Sequence, residues 1–417
     1  MTLDDTNDVT MEGPLIYKTP LCGVEEEAAV QKVDAVWRDL RFYVAKTNRW
    51  IGSVGRVLAA KANQSSNSIE GYNISTEDAI AALRGATEPI DSDWADWQAN
   101  LGYRRAMTYV LQLSDDEDFE YSSALMRSLH FMMTEYSLEA NPGRWRPGSI
   151  WVQNSATGDV VYEAPDRSIA PELVEELMHS IAHDGDVPPL FRAAMAHLNL
   201  ALIHPFSDGN GRMSRCLQSL VLVREGILAR EFCSIEEYLG QPQNQQRYYD
   251  ALAVVAHGHW TPENSALEWV RYCLEAHYIQ ALSVLRRIRE TERVWDVLEN
   301  LIVGHSLPPR SIEALYDASI GLKVRNSSYR ANIEDVSGPI SAQTATSDLS
   351  EIVKSGLFVQ NGSKRGAHYT ASEQLQKLAL AARGKRVPIT ATELFVPTGK
   401  SSEPLPQASP FGSAPQP

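Results

Sequence analysis

Cysteine is scarce: Cys22, Cys216, Cys233 and Cys273 are the four in 417 residues, far apart and without a CxxC pair. That excludes a disulfide scaffold and a cysteine zinc site, and it fits a reducing, cytoplasmic setting. No stretch approaches eighteen uninterrupted apolar residues, so no membrane-spanning helix is expected. The first twenty residues carry Asp4, Asp5 and Asp8 and no apolar block, so no secretory signal is expected either. Positive charge is also short, with 38 Lys and Arg against 53 Asp and Glu, a net of −15. Such a chain is a poor non-specific binder of nucleic acid. What is present is ordinary for a protein that buries a core, 43% hydrophobic and 22% charged, and the length suffices for two or three domains.

Charge and periodicity divide the chain. Residues 1–305 carry 26 basic and 44 acidic residues, residues 306–383 carry 9 and 7, and residues 384–417 carry 3 and 2. The last stretch holds 7 of the 22 prolines and is expected to be a disordered tail. Residues 1–23 read as a flexible arm. Between them the pattern is mainly α. Val30, Val33, Val36, Trp37, Leu40 and Tyr43 recur at helical spacing, as do Leu190, Ala194, Leu198 and Leu202, which lead into His204. The expected order is a helical region over 24–95, a helical core over 96–285 and a further unit over 290–383. Ile150-Trp151-Val152 and Val160-Val161-Tyr162 flank a polar loop and predict an isolated β-hairpin over 150–162 that must lean on helices. In 290–383, helical patterns near 290–303, 309–318 and 341–355 precede Leu357-Phe358-Val359, a glycine turn and His368-Tyr369. Helices followed by a small hairpin predict a winged helix-turn-helix.

The stretch richest in chemistry runs from His204 to Arg215, HPFSDGNGRMSR. Pro205 ends the preceding helix, leaving His204 at its end beside a loop. Gly209 and Gly211 around Asn210 permit positive φ and close backbone approach just before a new helix. Their N–H groups and the helix dipole make an anion nest. Arg212 and Arg215, three apart, project from one face of the first turn and can hold phosphates. Asp208 is a single carboxylate of the kind that holds Mg²⁺ together with phosphate oxygens. A base, a metal ligand, a phosphate cradle and two charge clamps form the kit of phosphoryl-type transfer, and His204 can accept a proton near neutral pH.

The segment resembles the Fic family signature HPFx[DE]GNGRxxR at every specified position. Leu129-His130-Phe131 with Pro142-Gly143-Arg144-Trp145-Arg146 resembles the family's mid-domain helix and flap entry, and the hairpin falls where the flap belongs. The resemblance covers roughly residues 30–285. It implies a helical Fic fold and transfer of AMP from ATP to a Tyr, Thr or Ser hydroxyl of a target protein or of the chain itself. His204 would be the base, Asp208 the Mg²⁺ ligand, and Gly209, Asn210 and Gly211 the phosphate cradle. Arg212 would clamp the β/γ end of the triphosphate and Arg215 the γ-phosphate. Val152, Gln153 and Asn154 of the flap would lie at the nucleotide. Tyr248, Tyr249 and Leu252 would help enclose adenine, although Ala256 stands where an asparagine often approaches the base. The flap would hold the target by strand pairing. Another transferred group, or removal of AMP, is the alternative chemistry.

Upstream, Ser66-Asn67-Ser68-Ile69-Glu70-Gly71 resembles the [ST]xxxE[GN] inhibitory motif of the family. Ser66 and Glu70 share one helix face, and Gly71 is the expected C-cap. The implied role of Glu70 is to pair with Arg215 and occupy the guanidinium that the γ-phosphate needs. Relatives often dimerise and release this brake that way, so a homodimer stays open. His130, in an apolar helix, reads as a satisfied core histidine. For the C-terminal unit, DNA binding is the weaker reading. Its expected recognition helix, 341–355, carries Lys354 against Asp348 and Glu351, so a docking role is expected instead.

Overall fold

The computed structural model describes residues 13–397 apart from 46–49, 154–156, 227–231, 233 and 364–365. The fold is mainly α. The elements that build the site are α1 (Val24–Ala45), α2 (Ile51–Ser68), α3 (Thr76–Leu83), α4 (Trp94–Gln112), α5 (Ser123–Thr134), α6 (Ala170–His183), α7 (Pro189–Ile203) and α8 (Asn210–Arg224). α7 and α8 form the centre. Proline at the first position of α7 needs no backbone donor there, and the run that follows is mostly apolar, so most of the helix is buried. One continuous core joins Trp37 of α1, Phe191 of α7, Phe206 of the loop and Trp269 of a long helix, Leu267–Gly304. Trp269 Nε1 donates to Ala194 O at 2.7 Å, so this large ring is buried with its one polar atom satisfied.

The hairpin forms as β1 (Trp151–Gln153) and β2 (Val160–Glu163), antiparallel, with Trp151 opposite Glu163 and an irregularity at Val152/Gln153. Two strands this short gain little from their own pairing. Tyr162 supplies the anchor: its ring is buried and its hydroxyl donates to Leu202 O of α7 at 2.7 Å.

Three boundaries differ from the sequence expectation. Residues 13–23 are no loose arm. Ile16 and Tyr17 are buried, and Tyr17 exchanges both backbone bonds with the Asn199 side chain on α7, at 2.9 and 3.0 Å. Residues 384–397, though mostly exposed, are tied to the body rather than tail-like. Lys32 Nζ donates to the carbonyls of Glu393, Leu394 and Val396, and Leu394 is buried. Residues 1–12 and 398–417 lie outside the described residues. No break occurs at 285–290, because the helix Leu267–Gly304 runs through it unbroken, one face against α1 and its far end against the C-terminal unit.

In that unit the helices Ile312–Ser319, Asn326–Ser337 and Ala342–Lys354 come before two strands and Glu373–Arg383 after them. The strands are β3 (Phe358–Asn361) and β4 (His368–Ala371), paired in register from Phe358–Ala371 to Asn361–His368. The helix Asn326–Ser337 escaped the sequence reading because its sequence is mostly polar. Tyr329 and Ile333, one turn apart, supply its buried apolar side chains among the described residues. Asp348 points inward, where Arg310 bonds it through Nε and Nη2 at 2.7 and 2.8 Å and Tyr329 OH at 3.0 Å. That acid is therefore not on the outer face of its helix, contrary to the weight given it above.

Candidate active site

The loop between α7 and α8 is set by local chemistry. His204 caps α7 in the left-handed region, φ 51°, and Gly209 starts α8 at φ 79°. Asn210 closes the turn with its side chain: its Oδ1 accepts from Phe206 N at 3.0 Å and its Nδ2 donates to Phe206 O at 2.9 Å. The Asn210 side chain is thus a strut inside the loop, and only its backbone is left to a ligand. Replacing Asn210 by alanine strands two buried backbone groups. A loss of about 2 kcal/mol is expected, measured as a lower urea midpoint at unchanged slope.

The loop is braced from below by α5. The His130 ring stacks on Phe206 at 3.8 Å, its Nδ1 accepts from Gly143 N at 3.0 Å, and its Nε2 lies 3.0 Å from Asp208 O. A carbonyl only accepts, so Nε2 carries the proton. Burial lowers the His130 pKa to about 4, and His130 is the core histidine expected. Arg146, also buried, donates Nε to His204 O at 2.9 Å, Nη1 to Gly148 O at 2.7 Å and Nη2 to Pro165 O. It ties the end of α7 to the base of the hairpin.

His204 itself directs Nδ1 to Ala201 O at 3.1 Å. By the same logic Nδ1 is the protonated nitrogen and Nε2 carries the lone pair. Burial holds its pKa below the ordinary imidazole value, so the ring is neutral at pH 7. Asp208 leaves one oxygen open, the other taking Arg212 Nη2 at 3.1 Å, and its side chain is 45% exposed.

The two arginines are buried and part ways. Arg212 meets Asp208, Tyr136 OH at 3.2 Å and the face of Tyr72 at 5.0 Å. Arg215 is held by α2: Nε donates to Ser66 Oγ at 2.9 Å, and Nη2 to Ser66 O at 2.8 Å and to Glu70 Oε1 at 2.7 Å. Arg215 Nη1 is buried without a hydrogen-bond partner among the described residues. Burial works against this cation, but Glu70 raises its pKa further. The Glu70 carboxylate lies directly over the nest, since a Cβ on Gly211 would stand 2.3 Å from Glu70 Oε1. The cap residue of α2 is Ile69, and Gly71, two positions beyond it, takes the left-handed region that ends the turn.

Tyr72 and Tyr136 were not legible in the sequence, because no motif spacing marks a tyrosine as the cover of an arginine. Tyr248 needs correction. It is 2% exposed, packed against Trp269, with its hydroxyl 3.0 Å from His197 Nε2, so it stands in the core rather than on an open adenine surface. Tyr249 is on the surface, its hydroxyl 3.5 Å from Ile69 O beside the end of α2, and Leu252 is partly buried. Val152 and Gln153 lie on β1. Asn154 lies outside the described residues.

His197 extends this buried polar chain. Its Nδ1 donates to Gln218 Oε1 at 2.5 Å, and burial lowers its pKa to about 3. His130 and His197 are both neutral when folded and titrate near 6.5 when unfolded. Acid therefore protonates the unfolded chain first. Their contribution is complete above pH 6.5 and declines below it, reaching a loss of about 2 kcal/mol for each at pH 5. Urea midpoints at pH 7.5 and 5.0 check this.

An all-helical body with an anion-accepting loop at a helix N-terminus, and a short hairpin at its side, defines the class. Residues 120–222 match the model of the Fic/DOC family. Among solved structures, a Fic family protein from Desulfovibrio desulfuricans G20 aligns at TM-score 0.52 and 18% identity, covering 86% of this chain and 99% of that one. A Fic domain containing signaling protein from Bacteroides thetaiotaomicron aligns at 0.51 and 19%, covering 62% and 96%. At these identities the likeness is one of fold. The protein adenylyltransferase Fic of Aedes aegypti is 43% identical over 74 residues, 18% of this chain and 13% of that protein. Its namesake in Nematostella vectensis is 24% identical over 216 residues, 50% and 45%. The chain spans less than half the length of these curated relatives.

Proposed function

We propose that the protein transfers AMP from Mg–ATP to a Tyr, Thr or Ser hydroxyl of a protein target, itself included, and that Glu70 holds it in check. The observation that carries the reading is His204, whose Nδ1 bond to Ala201 O leaves Nε2 as a neutral, fixed acceptor beside the nest. The named relatives point the same way.

In this reaction the hydroxyl proton passes to His204 Nε2, and the freed oxygen forms a bond to the α-phosphorus. The bond from that phosphorus to the bridging oxygen breaks, and pyrophosphate leaves. The backbone N–H groups of Gly209 to Gly211 and the guanidinium groups of Arg212 and Arg215 hold the phosphates in line. Mg²⁺ fits the donor set: Asp208 offers one open, half-exposed carboxylate oxygen, as expected of a metal held largely by phosphate. Among the described residues no cluster of three or more His, Cys, Asp or Glu could hold a metal alone. When bound, the metal would neutralise phosphate charge.

The hairpin is the proposed seat of the target. Trp151, Val160 and Val161 are exposed, and an extended segment can add to the edge of β1. With Glu70 paired to Arg215, the γ-phosphate would meet a carboxylate where it needs a cation. Mass spectrometry of the full chain incubated with ATP and Mg²⁺ tests the chemistry. The mass of one adenylyl group is expected. The mass of a phosphate alone, or of any other group, overturns the assignment.

A further inference from the structure

A cavity of about 400 Å³ lies where α2, the start of α3, the helix Leu267–Gly304 and the C-terminal unit meet. None of its lining residues takes part in the site described above. Four cations border it, Lys61, Arg287, Arg383 and Arg386, against two carboxylates, Glu77 and Glu290. In a chain of net charge −15 this is a local inversion of sign.

Hydrogen bonds fix these cations without exhausting them. Arg287 gives Nη1 and Nη2 to Glu237, at 3.0 and 2.7 Å, and Lys61 Nζ shares that carboxylate at 3.3 Å. Burial would raise the Glu237 pKa, but Arg287 and Lys61 bring it down to about 2. Two cations therefore share one negative charge. Arg386 gives Nε and Nη2 to Glu290, at 2.9 and 2.6 Å. Arg383 has only a neutral partner, donating Nη2 to Ser319 O at 2.8 Å, and no carboxylate pairs with it among the described residues. Glu77 is engaged by the backbone N–H of Lys323 at 3.1 Å. A guanidinium carries five N–H donors and an ammonium three, so unused donors remain on all four side chains. Their geometry is set in advance by Glu237, Glu290 and the Ser319 carbonyl, which lowers the ordering cost of binding.

We propose that this cavity binds a small phosphate-bearing molecule, held by Lys61, Arg383 and the remaining N–H groups of Arg287 and Arg386. Fixed guanidinium groups and an ammonium converging on a cavity of this size match phosphate oxygens and offer little to an apolar ligand. The inference is independent of the transfer chemistry proposed above.

Calorimetric titration of the full chain with inorganic pyrophosphate, and separately with ADP, tests it. The variants are Lys61→Gln, Arg383→Gln and the charge-keeping Arg383→Lys. Any binding at the loop carries over unchanged in all three, so the heat that disappears belongs to the cavity. Each glutamine variant is expected to weaken the cavity component about tenfold, with Arg383→Lys within about threefold of wild type. Equal melting temperatures in the absence of ligand separate this loss from misfolding. Cavity-dependent binding of pyrophosphate points to a free polyphosphate, and of ADP alone to a nucleotide. Binding that both glutamine variants leave within about twofold, or no binding of either probe, overturns the proposal.

Discussion

Glu70→Gly is expected to raise self-labelling by labelled ATP about tenfold or more over wild type. The argument rests on what the substitution removes and what it leaves. Arg215 keeps its bonds from Nε to Ser66 Oγ and from Nη2 to Ser66 O, so the guanidinium stays in place. What goes is the carboxylate at 2.7 Å from Nη2, which lies over Gly211 where phosphate must come. Two like unit charges 4 Å apart repel by about 4 kcal/mol at an effective dielectric constant near 20. Relief of a third of that is already a factor of about ten. The same change leaves buried Arg215 without its counter-ion, so the variant should melt lower than wild type in the absence of nucleotide and recover on adding ATP and Mg²⁺. Glu70→Gln, which keeps the shape and removes the charge, should label nearly as well as the glycine variant. Equal labelling of wild type and Glu70→Gly would sink the brake.

Replacement of His204 carries the second large effect. A positioned general base contributes about 10² to 10⁴-fold, so His204→Ala should lose labelling by that factor. Alanine is strained at φ 51°, whereas asparagine tolerates the left-handed region better, so His204→Asn is the cleaner variant. Either should still bind a non-hydrolysable ATP analogue in the Glu70→Gly background, because the nest and both arginines are untouched. The pH profile adds a readout that misfolding cannot imitate. Burial lowers the His204 pKa, so the base stays deprotonated to lower pH than free imidazole. The acidic limb of the labelling rate should then have its midpoint below 6.5. Residual labelling at the wild-type rate in His204→Asn would remove this residue from the chemistry.

The parts of the molecule that could be read directly are those whose cause is local. Pro205, Gly209 and Asn210 shape their own turn through φ preferences and a side chain that bonds four residues back. The pairs β1–β2 and β3–β4 were visible because β-branched and aromatic runs flank polar loops. The failures share an origin too. Residues 13–23 and 384–397 have little internal pattern, and each is ordered by partners far away, Asn199 for one and Lys32 for the other. Asn326–Ser337 is helical because Tyr329 and Ile333 find a core, which polar neighbours concealed. Tyr248 was read as a ligand contact because residue type says nothing about which side of a helix faces the interior.

The amino-acid order alone settled the shape of the turn from His204 to Gly211, because a few φ restrictions are enough to define it, and it set Ser66 and Glu70 about one helical turn apart, although Glu70 stands just past the end of α2. Tertiary structure decided that Glu70 meets Arg215, 145 positions away, with Tyr72 and Tyr136 covering Arg212. It also decided that four scattered cations line one cavity. Those pairings depend on how whole helices pack, and packing is chosen by the sum of many weak contacts across the chain rather than by any one segment.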